Sequence, residues 1–329
     1  MKPLAFQLLR ELSQERFVSG ARLAEKFGVS RSTISDALHE AGDAGVEIFS
    51  LTRRGYRLAE PIDLLSLELI RKELGTFARR LDINLVETID STNTEMAKRA
   101  GEGSPSGAGL VAEIQTAGRG RRGRVWQSAF GASLTLSLLW RFEKGASQLG
   151  GLSLAVGLAV LRALRKLGVG VDVVQLNWPN DVVVGEEKLA GVLIESQGDM
   201  LGPTAVVIGI GVNVKLPARL QTAIDQPATD LQSLAGEIIS RNHLLAEILR
   251  QLVVVLDEFQ VKGFPAFKKE WIAAHALHGK PVRVHSAGSK AIDAVVRDVA
   301  DDGSLIVAHR DTDLVIASGE VSLRAVRHG

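Results

Sequence analysis

The spacing of apolar residues changes twice along this chain of 329 residues, and those changes limit the folds that it can adopt. Residues 1–61 carry apolar positions at helical intervals and end in a hairpin pattern. Residues 62–276 mix strand-like apolar runs with long helical stretches, and residues 277–329 carry only short alternating runs. We therefore predict a multidomain α+β protein with domains at 1–61, 62–276 and 277–329.

The first domain has the spacing of a winged helix-turn-helix. Residues 21–27 and 31–41 each carry an apolar helical face, and Gly28-Val29-Ser30 between them supplies a turn and a helix cap. Residues 47–51 and 56–58 predict the strands of a hairpin, the wing. In such modules the second helix reaches base edges and the wing contacts phosphates. The residues expected to face DNA are Ser30, Arg31, Ser32, Thr33, Ser35, His39, Arg53 and Arg54.

The charge balance requires any surface that binds nucleic acid to be local. The chain has 39 basic and 38 acidic residues, a net charge of +1. Asp36 and Glu40 also dilute the basic face of the second helix. A helical hairpin that only mediates protein contacts is therefore the alternative interpretation of this domain.

The central domain is predicted to be a mixed or antiparallel sheet with helices packed on it. Helical periodicity covers residues 152–167 and 244–259. Strand-like runs cover residues 110–114, 134–139, 171–176, 182–184, 191–196 and 205–214. In residues 277–329, five short alternating runs and the turn Asp301-Asp302-Gly303 predict a small β-barrel.

The absence of cysteine excludes disulfides, thiolate metal sites and every mechanism with a cysteine nucleophile.

Charged residues interrupt residues 1–17, so this segment does not form the core of a signal peptide. The most apolar stretch, residues 152–161, is too short to span a membrane. We expect a cytoplasmic protein with no membrane partner.

Residues 118–124, Gly-Arg-Gly-Arg-Arg-Gly-Arg, are the most informative motif for function. Glycine permits close backbone approach, and arginine presents a planar charged fork suited to phosphate and carboxylate. The glycines fit Gly-x-Gly-x-x-Gly, but a dinucleotide site needs a helix to begin there, and strand-like sequence follows instead. A basic tract for nucleic acid is a further alternative, which the regular glycine spacing disfavours. We predict a basic flap that an acyl phosphate or a nucleotide orders.

Two further motifs place polar side chains beside predicted strands. In Asn177-Trp178-Pro179-Asn180-Asp181, the last carboxylate could hold Mg²⁺ or accept a proton from an amine, although such turns are usually structural. Lys188 precedes a buried strand and could bring its charge to a phosphate or carboxylate. A lone lysine is more often a solvated residue at a strand edge.

The last two motifs flank this region of the chain. Asp90-Ser91-Thr92-Asn93 is a capping run before a helix, although its hydroxyls could instead grip a polar ligand ring. Gly209-Ile210-Gly211-Val212-Asn213 lets a strand approach a ligand closely, or else marks a β-bulge. The five motifs in this order are far more specific than any one of them.

With these motifs, the chain resembles the biotin protein ligases, and specifically the bifunctional members that also repress the biotin operon. The resemblance runs nearly end to end and includes Gln115, Trp126, Lys188-Leu189-Ala190-Gly191 and Gly319-Glu320-Val321-Ser322-Leu323-Arg324. Its most specific parts are the arginine–glycine loop and Trp178-Pro179-Asn180-Asp181. It implies that the C-terminal barrel is SH3-like.

The resemblance also implies the reaction and the partners. Biotin and MgATP form biotinyl-5′-adenylate and pyrophosphate, and the biotinyl group then passes to one lysine of the biotin carboxyl carrier protein. The adenylate acts as corepressor: the adenylate-bound chain forms a homodimer and binds operator DNA.

The site residues follow from the same resemblance. Biotin is expected to contact Ser91, Thr92, Asn93, Gln115, Gly118, Arg119, Arg121, Trp126, Lys188 and Gly191. ATP is expected to contact Arg119, Arg121, Arg122, Asn180, Lys188, Gly209, Gly211, Asn213 and Arg324. Catalysis is assigned to Lys188 and Arg121 on the carboxylate and phosphate, and to Asp181, which would align Mg²⁺ or the acceptor amine.

One departure from the family pattern concerns charge. The family often has a lysine directly before Trp-Pro-Asn-Asp, where this chain has Asn177. That change removes one positive charge near the phosphates or the acceptor. Residues 215–230 occupy the place of a mobile loop on the adenylate side of the family site, but they match no sharp motif.

Two other functions compete with this interpretation. A lipoate–protein ligase shares the adenylation logic, but the arginine–glycine loop favours biotin. A transcription factor whose ligase-like domain only senses a ligand is the second alternative. Lys188, Asp181 and the four loop arginines argue against such an inactive domain.

Overall fold

The structure, a computed structural model, describes residues 1–198, 200–286, 291–310, 312–317 and 321–325. The side chains of residues 218, 219, 286 and 321–325 lie outside this description. In the described part of the chain, no helix is both long and apolar enough to cross a lipid bilayer.

The N-terminal domain is a winged helix-turn-helix, as predicted. Helices α1 (Pro3–Glu11), α2 (Gly20–Phe27) and α3 (Arg31–Asp43) precede the antiparallel hairpin of β1 (Ile48–Leu51) and β2 (Gly55–Leu58). The Ser19 and Ser30 hydroxyls cap α2 and α3, since each accepts a hydrogen bond from a backbone N–H of the first turn. Gly28 ends α2 in the left-handed conformation with a φ of 64°, which is the turn that the sequence predicted.

The centre of the molecule is a seven-stranded mixed sheet. Strand order is β3-β4-β7-β11-β10-β9-β8, and every pair is antiparallel except β3 with β4. The strands are β3 (Asp82–Ile89), β4 (Ala108–Gln115), β7 (Ser133–Phe142), β8 (Val174–Asn177), β9 (Asp181–Val184), β10 (Glu187–Gly198) and β11 (Thr204–Asn213). Two short strands, β5 (Gly118–Arg119) and β6 (Val125–Trp126), pair with each other outside this sheet.

Helices cover both faces of the central sheet. The long helices α6 (Leu152–Lys166) and α9 (Arg241–Lys262) pack together on one face with α4 (Leu67–Leu74) and α10 (Pro265–Ala274). Helix α5 (Thr92–Gly101) packs on the other face through Met96 and Ala100, against Leu139 and Val207. Two short helices, α7 (Ala218–Ala223) and α8 (Leu231–Ala235), lie between β11 and α9.

One strand begins later than the sequence predicted. The apolar run 171–176 becomes turn over its first three residues, and β8 starts at Val174. Gly170, at a φ of 58°, turns the chain, and its carbonyl accepts hydrogen bonds from the N–H groups of Val173 and Val174. These local bonds compete with strand pairing, and Val171 and Val173 are left exposed.

A buried polar cluster fixes residues 63–65, which follow the N-terminal domain, to the central sheet. Arg241 at the start of α9 forms an ion pair with Glu113 of β4, with Nη2 and Oε2 at 2.7 Å and both side chains fully buried. The Arg241 guanidinium also donates to the Asp63 carbonyl, and the other Glu113 oxygen accepts from the Leu65 N–H at 2.6 Å. Asn242 donates to the Leu64 carbonyl at 2.9 Å. The connection between the two domains is therefore held in one conformation, because an unpaired charge buried here would be costly.

The C-terminal strands are antiparallel, as predicted. They are β12 (Pro281–Ser286), β13 (Ile292–Val299), β14 (Leu305–His309), β15 (Thr312–Ile316) and β16 (Val321–Ala325), in the order β15-β14-β13-β12-β16. Closure into an SH3-like barrel stays a prediction. The predicted turn 301–303 contacts the central domain, where the Gly303 carbonyl accepts a hydrogen bond from the Trp178 indole at 3.0 Å.

Candidate active site

A cavity lies between the start of α5, the central strands β10 and β11, and the segment 118–126, which we call the flap. Twelve of the residues predicted from the sequence line it, although they come from segments far apart along the chain. They are Ser91, Thr92, Asn93, Gln115, Arg119, Arg121, Trp126, Asn180, Lys188, Gly191, Gly209 and Gly211.

One wall of the cavity is an uncharged hydrogen-bonding network. The Thr92 hydroxyl donates to Gln115 Oε1 at 3.0 Å and lies 2.8 Å from the Ser137 hydroxyl. Ser137 in turn donates to Asn93 Oδ1 at 3.1 Å. Ser91 caps α5 through its hydroxyl, as the capping interpretation predicted, and it also lines the cavity. Contact of these hydroxyls with a ligand ring stays a prediction. The network presents hydroxyl and amide groups in fixed orientations, which suits a polar, uncharged ligand ring.

The opposite wall depends on glycines in β10 and β11. A Cβ at Gly211 would lie 2.3 Å from the Trp126 ring, and one at Gly209 would lie 2.6 Å from Asn93 Oδ1. A Cβ at Gly191 would lie 3.3 Å from Cζ3 of the same indole and 2.9 Å from Lys188 Cε. The predicted close approach over these glycines is made by the protein's own side chains, which form the cavity walls. A direct ligand contact at Gly209 or Gly211 stays a prediction.

Lys188 reaches the cavity because of a β-bulge. The register between β9 and β10 shifts between Lys188 and Ala190, so that Lys188 and Gly191 share one face despite their odd spacing. The Lys188 ammonium lies 2.7 Å from Asp181 Oδ1 and 5.8 Å from the centroid of the Trp126 ring. With 17% of its side chain exposed, this cation is largely removed from water and is available to an anionic ligand.

The flap forms a short ribbon over the cavity rather than an α-helix. After β5, a single turn of 3₁₀-helix (Arg121–Gly123) leads into β6, in agreement with the rejection of a dinucleotide fingerprint. Arg119 forms an ion pair with Glu195, and Arg121 donates to Asn180 Oδ1 at 3.3 Å. Burial lowers the pKa of the Arg121 guanidinium, neighbouring Arg122 lowers it further, and Asp181 opposes both effects. Arginine stays protonated even so, which leaves a partly desolvated cation facing the cavity.

Asn177 to Asp181 form the hairpin between β8 and β9, with a cis peptide bond between Trp178 and Pro179. Asn180 is held on β10, since its amide donates to the Val192 carbonyl at 2.7 Å. Asn177, which replaces the usual family lysine, lies opposite Asp181, and its Oδ1 has no hydrogen-bond partner in the described structure. The site therefore has no cation at this position.

Four predicted site residues lie outside the cavity lining, and the structure does not describe the side chain of a fifth, Arg324. Gly118 and Arg122 belong to the flap, and Asp181 lies behind Lys188. Asn213 donates to the carbonyls of Lys188 and Thr229 at 3.3 and 3.1 Å, and so ties the strand end to residues 215–230. Arg324 lies in β16, in register with Arg283, but its side chain is outside the described part of the chain, as are residues 318–320.

The structure adds Thr135, Ser137, Leu193 and Glu195 to the site. The first three line the cavity, and Glu195 pairs with Arg119 at its edge. Thr135 and Ser137 are polar positions in an apolar run, which is the one signal that could have identified them. Glu195 ends the Lys188 motif and received no role from the sequence, because its partners come from distant segments.

Magnesium binding rests on Asp181 alone. In the described residues, no group of three or more His, Asp or Glu side chains could enclose a metal ion. A magnesium ion bound with a nucleotide usually takes one or two carboxylates, with phosphate and water oxygens as its other ligands, so one carboxylate beside the cavity is compatible with it.

All eight side chains predicted to face DNA are exposed, six on or just before α3 and two at the tip of the wing. The Ser30 hydroxyl lies 2.7 and 2.8 Å from the hydroxyls of Ser32 and Thr33, so these groups are already engaged in the helix cap. Arg31 and Arg54 are fully charged groups on the same module. A role of these residues in DNA binding stays a prediction.

Comparison with known families gives two matches. The Biotin/lipoate A/B protein ligase family matches residues 85–213, which include the cavity from Ser91 of α5 to the end of β11. A helix-turn-helix family, "HTH domain", matches residues 5–57.

Individual proteins extend this similarity over the whole chain. The bifunctional ligase/repressor BirA of Salmonella typhimurium is 36% identical over 97% of both chains. The biotin–[acetyl-CoA-carboxylase] ligase of Mycobacterium tuberculosis is 34% identical over 80% of this chain and 97% of its own. The structure of the biotin protein ligase from Aquifex aeolicus in complex with biotin and ATP has a TM-score of 0.63 and 29% identity, covering 74% of this chain and 99% of its own.

Proposed function

The chain belongs to the family of bifunctional biotin ligase/repressors, and from that premise we propose how its cavity and its N-terminal domain work. It is an ATP-dependent biotin protein ligase and a biotin-responsive repressor. We propose that residues 1–61 bind DNA, that residues 62–276 bind both substrates, and that residues 277–329 form the third domain. The cytoplasm is the proposed compartment.

The observation that carries this proposal is the division of one cavity into an uncharged end and a cationic end. Thr92, Ser137 and Gln115 offer hydroxyl and amide groups, which suit the N–H and carbonyl groups of the biotin ring. Lys188 and Arg121 supply the charge that a carboxylate and a phosphate need. Biotin has these two chemical ends.

The first step joins the biotin carboxylate to ATP. A carboxylate oxygen attacks the α-phosphorus, the bond to the β-phosphate breaks, and pyrophosphate leaves. No protein nucleophile is required; alignment and charge stabilisation are, and Lys188, Arg119 and Arg121 are proposed to provide both. Magnesium bound with ATP would neutralise phosphate charge, and Asp181 would hold it.

The second step transfers the biotinyl group. The neutral amine of one carrier lysine attacks the acyl carbon, AMP leaves, and the amine loses a proton as the amide forms. Asp181 is paired with Lys188, so we propose that it keeps that ammonium in place and orients the incoming amine. The acyl-adenylate is sensitive to water, and the flap over the cavity would exclude water until the carrier arrives.

For repression, we propose that the adenylate is the corepressor. A chain with the adenylate bound would form a homodimer, and α3 and the wing of each copy would contact one half of a two-fold operator. The exposure of Arg31, His39, Arg53 and Arg54 supports this arrangement.

Exchange of labelled pyrophosphate into ATP tests the adenylation step. The proposal predicts exchange with biotin present, and none with lipoate or without an acid. Lys188→Gln should reduce the exchange by about 100- to 1,000-fold, the usual loss when one group that stabilises developing charge is removed. Lys166→Gln, at the exposed end of α6, is the matched control and should retain it. Exchange with lipoate would favour the lipoate ligase, and no exchange with either acid would favour a pure sensor.

A further inference from the structure

Glu195 introduces a negative charge at the edge of a cavity whose ligands are anions. It lies on β10, on the same face as Gly191 and Leu193, which line the cavity, because alternate residues of a strand share a face. A carboxylate in this position repels a phosphate or a carboxylate. Its function therefore lies in its contacts with the protein.

Glu195 connects two parts of the site that are distant in sequence. Both of its oxygens accept hydrogen bonds from the Arg119 guanidinium, at 2.6 and 3.1 Å. Oε2 also accepts from the Asn93 amide at 2.5 Å. Arg119 belongs to the flap and Asn93 to the start of α5, so this carboxylate links the flap to the cavity wall.

The two partners differ in how firmly they are fixed. Asn93 is only 4% exposed, lies against Gly209, and accepts a hydrogen bond from Ser137. Arg119 is 47% exposed and lies in a strand of two residues that pairs only with β6 in the described structure. The rigid wall therefore restrains the flap, rather than the reverse.

We propose that Glu195 is a positioning residue that anchors the flap over the cavity. It holds Arg119 in place through a two-point ion pair, and it orients the Asn93 amide at the same time. This inference rests on the proposed function for what the flap encloses, an acyl-adenylate. The anchor itself is a property of the protein without ligand.

The opposite role for Glu195 gives the opposite result. If Glu195 instead competed with the ligand for Arg119, its removal would free that guanidinium and slow the release of adenylate. If it anchors the flap, removal loosens the cover, and adenylate escapes faster. The sign of the change therefore decides between the two roles.

The variant Glu195→Gln tests the anchor in the full-length protein. Gln keeps the size and an oxygen for Asn93 but removes the charge that pairs with Arg119. Glu95→Gln is the matched control: Glu95 pairs with Arg99 on α5 at 2.8 Å, and its side chain has the same exposure of 29%. The control pair lies outside the cavity lining.

Two measurements are made on each protein. The first is the rate of tryptic cleavage after Arg121, Arg122 and Arg124 without any ligand, with cleavage sites identified by mass spectrometry; every variant keeps these three sites. The second is the rate at which preformed biotinyl-adenylate leaves the protein after dilution. Glu195→Gln should raise both rates, the second by about tenfold, as expected for the loss of one charge-assisted contact that is partly exposed. Glu95→Gln should change neither rate.

A double-mutant cycle with Arg119→Gln separates the anchor from a general loss of structure. If the two side chains act as a pair, Arg119→Gln and the double variant should show the same flap cleavage as Glu195→Gln. Additive effects on cleavage, unchanged cleavage, or slower release of adenylate would overturn the anchor. If Glu195→Gln is cleaved faster but the wild-type protein forms no biotinyl-adenylate, the proposed function is overturned and the anchor still holds.

Discussion

Arg121 illustrates how single residues prepare this site for an anion. It lies at the turn of the flap, donates to Asn180, and is partly desolvated, which lowers the pKa of its guanidinium. Desolvation of a cation is unfavourable until an opposite charge arrives. A bound adenylate phosphate would offset that cost, so we expect Arg121 to contribute more to holding the adenylate than an exposed arginine of the same flap.

The variant Arg121→Ala should release reactive adenylate before the carrier arrives. Loss of one charge-assisted hydrogen bond predicts about a tenfold increase in biotin on lysines other than the carrier lysine. Mass spectrometry of a mixture containing the carrier and an unrelated protein measures the number of biotinylated lysines on each. Arg124→Ala removes an exposed charge from the same flap and is the control. Biotin confined to the carrier lysine in the Arg121 variant would contradict this role.

At the scale of elements, the sequence predicted what local patterns encode. The capped helix α3, the wing, and the antiparallel strands from 277 onward follow from turn residues and apolar spacing, and the structure agrees. The predicted start of β8 at residue 171 was wrong, because hydrogen bonds to the Gly170 carbonyl outweigh the strand preference of Val171 and Val173.

The site shows the same limit of local information. The motifs gave Lys188 and Trp126, since a resemblance identifies residue types in order. They did not give the bulge that aims Lys188, the indole that lies on Gly211, or Glu195 as the partner of Arg119. Those features depend on contacts between segments far apart in sequence, which no local pattern records.

His275, where α10 ends beside β8, makes folding depend on pH. It is buried, its ring lies tilted at 35° against Trp271 with 4.6 Å between the ring centroids, and burial lowers its pKa to about 3. The unfolded chain takes up a proton below its ordinary pKa of 6.5, whereas the folded chain does not until about pH 3. Its contribution to stability is therefore constant above pH 6.5 and falls as the pH decreases from 6.5 towards 3.

Urea denaturation at pH 7 and pH 5 measures this dependence. His275→Phe removes the titrating group and keeps an aromatic ring beside Trp271. From pH 7 to pH 5, the wild-type chain should lose about 2 kcal/mol more stability than this variant, at 1.36 kcal/mol per pH unit below 6.5. His243→Gln changes an exposed histidine and should keep the wild-type dependence. Equal losses in the wild type and His275→Phe would show that His275 is not the group responsible.

At the scale of the whole molecule, a buried ion pair fixes the residues that follow the DNA-binding domain, and an aromatic contact reaches into that domain. The Glu113–Arg241 pair fixes the connecting residues 63–65, and Glu113 lies on the same strand as Gln115 of the cavity. Phe130, four residues after Trp126 of the flap, inserts into the core of the N-terminal domain, with its ring centroid 5.2 Å from that of Phe6. Ordering backbone costs about 1–2 kcal/mol per residue. A ligand that orders the flap would therefore reduce the free-energy cost of later association.

The variant Phe130→Ala should separate the two activities. It removes the aromatic contact between residue 130 and Phe6 of α1, but leaves the cavity lining intact. Biotin-dependent pyrophosphate exchange should stay within about twofold of wild type, because Phe130 contacts no substrate, while the increase in DNA affinity on adding biotin and ATP should shrink. Exchange activity also reports whether the variant folds. An unchanged DNA response would show that Phe130 does not couple the domains.

The central claim is that one cavity serves catalysis and also controls DNA binding. The direct measurement is fluorescence anisotropy of a labelled fragment from upstream of the biotin synthesis genes, titrated with the full-length protein. Biotin plus ATP should raise the DNA affinity of the wild type by about 5- to 150-fold, the usual range for coupling between two sites. Lys188→Gln, which should not form the adenylate, should show no increase. Equal DNA affinity of the wild type with and without biotin and ATP, or a full response in Lys188→Gln, would contradict the claim.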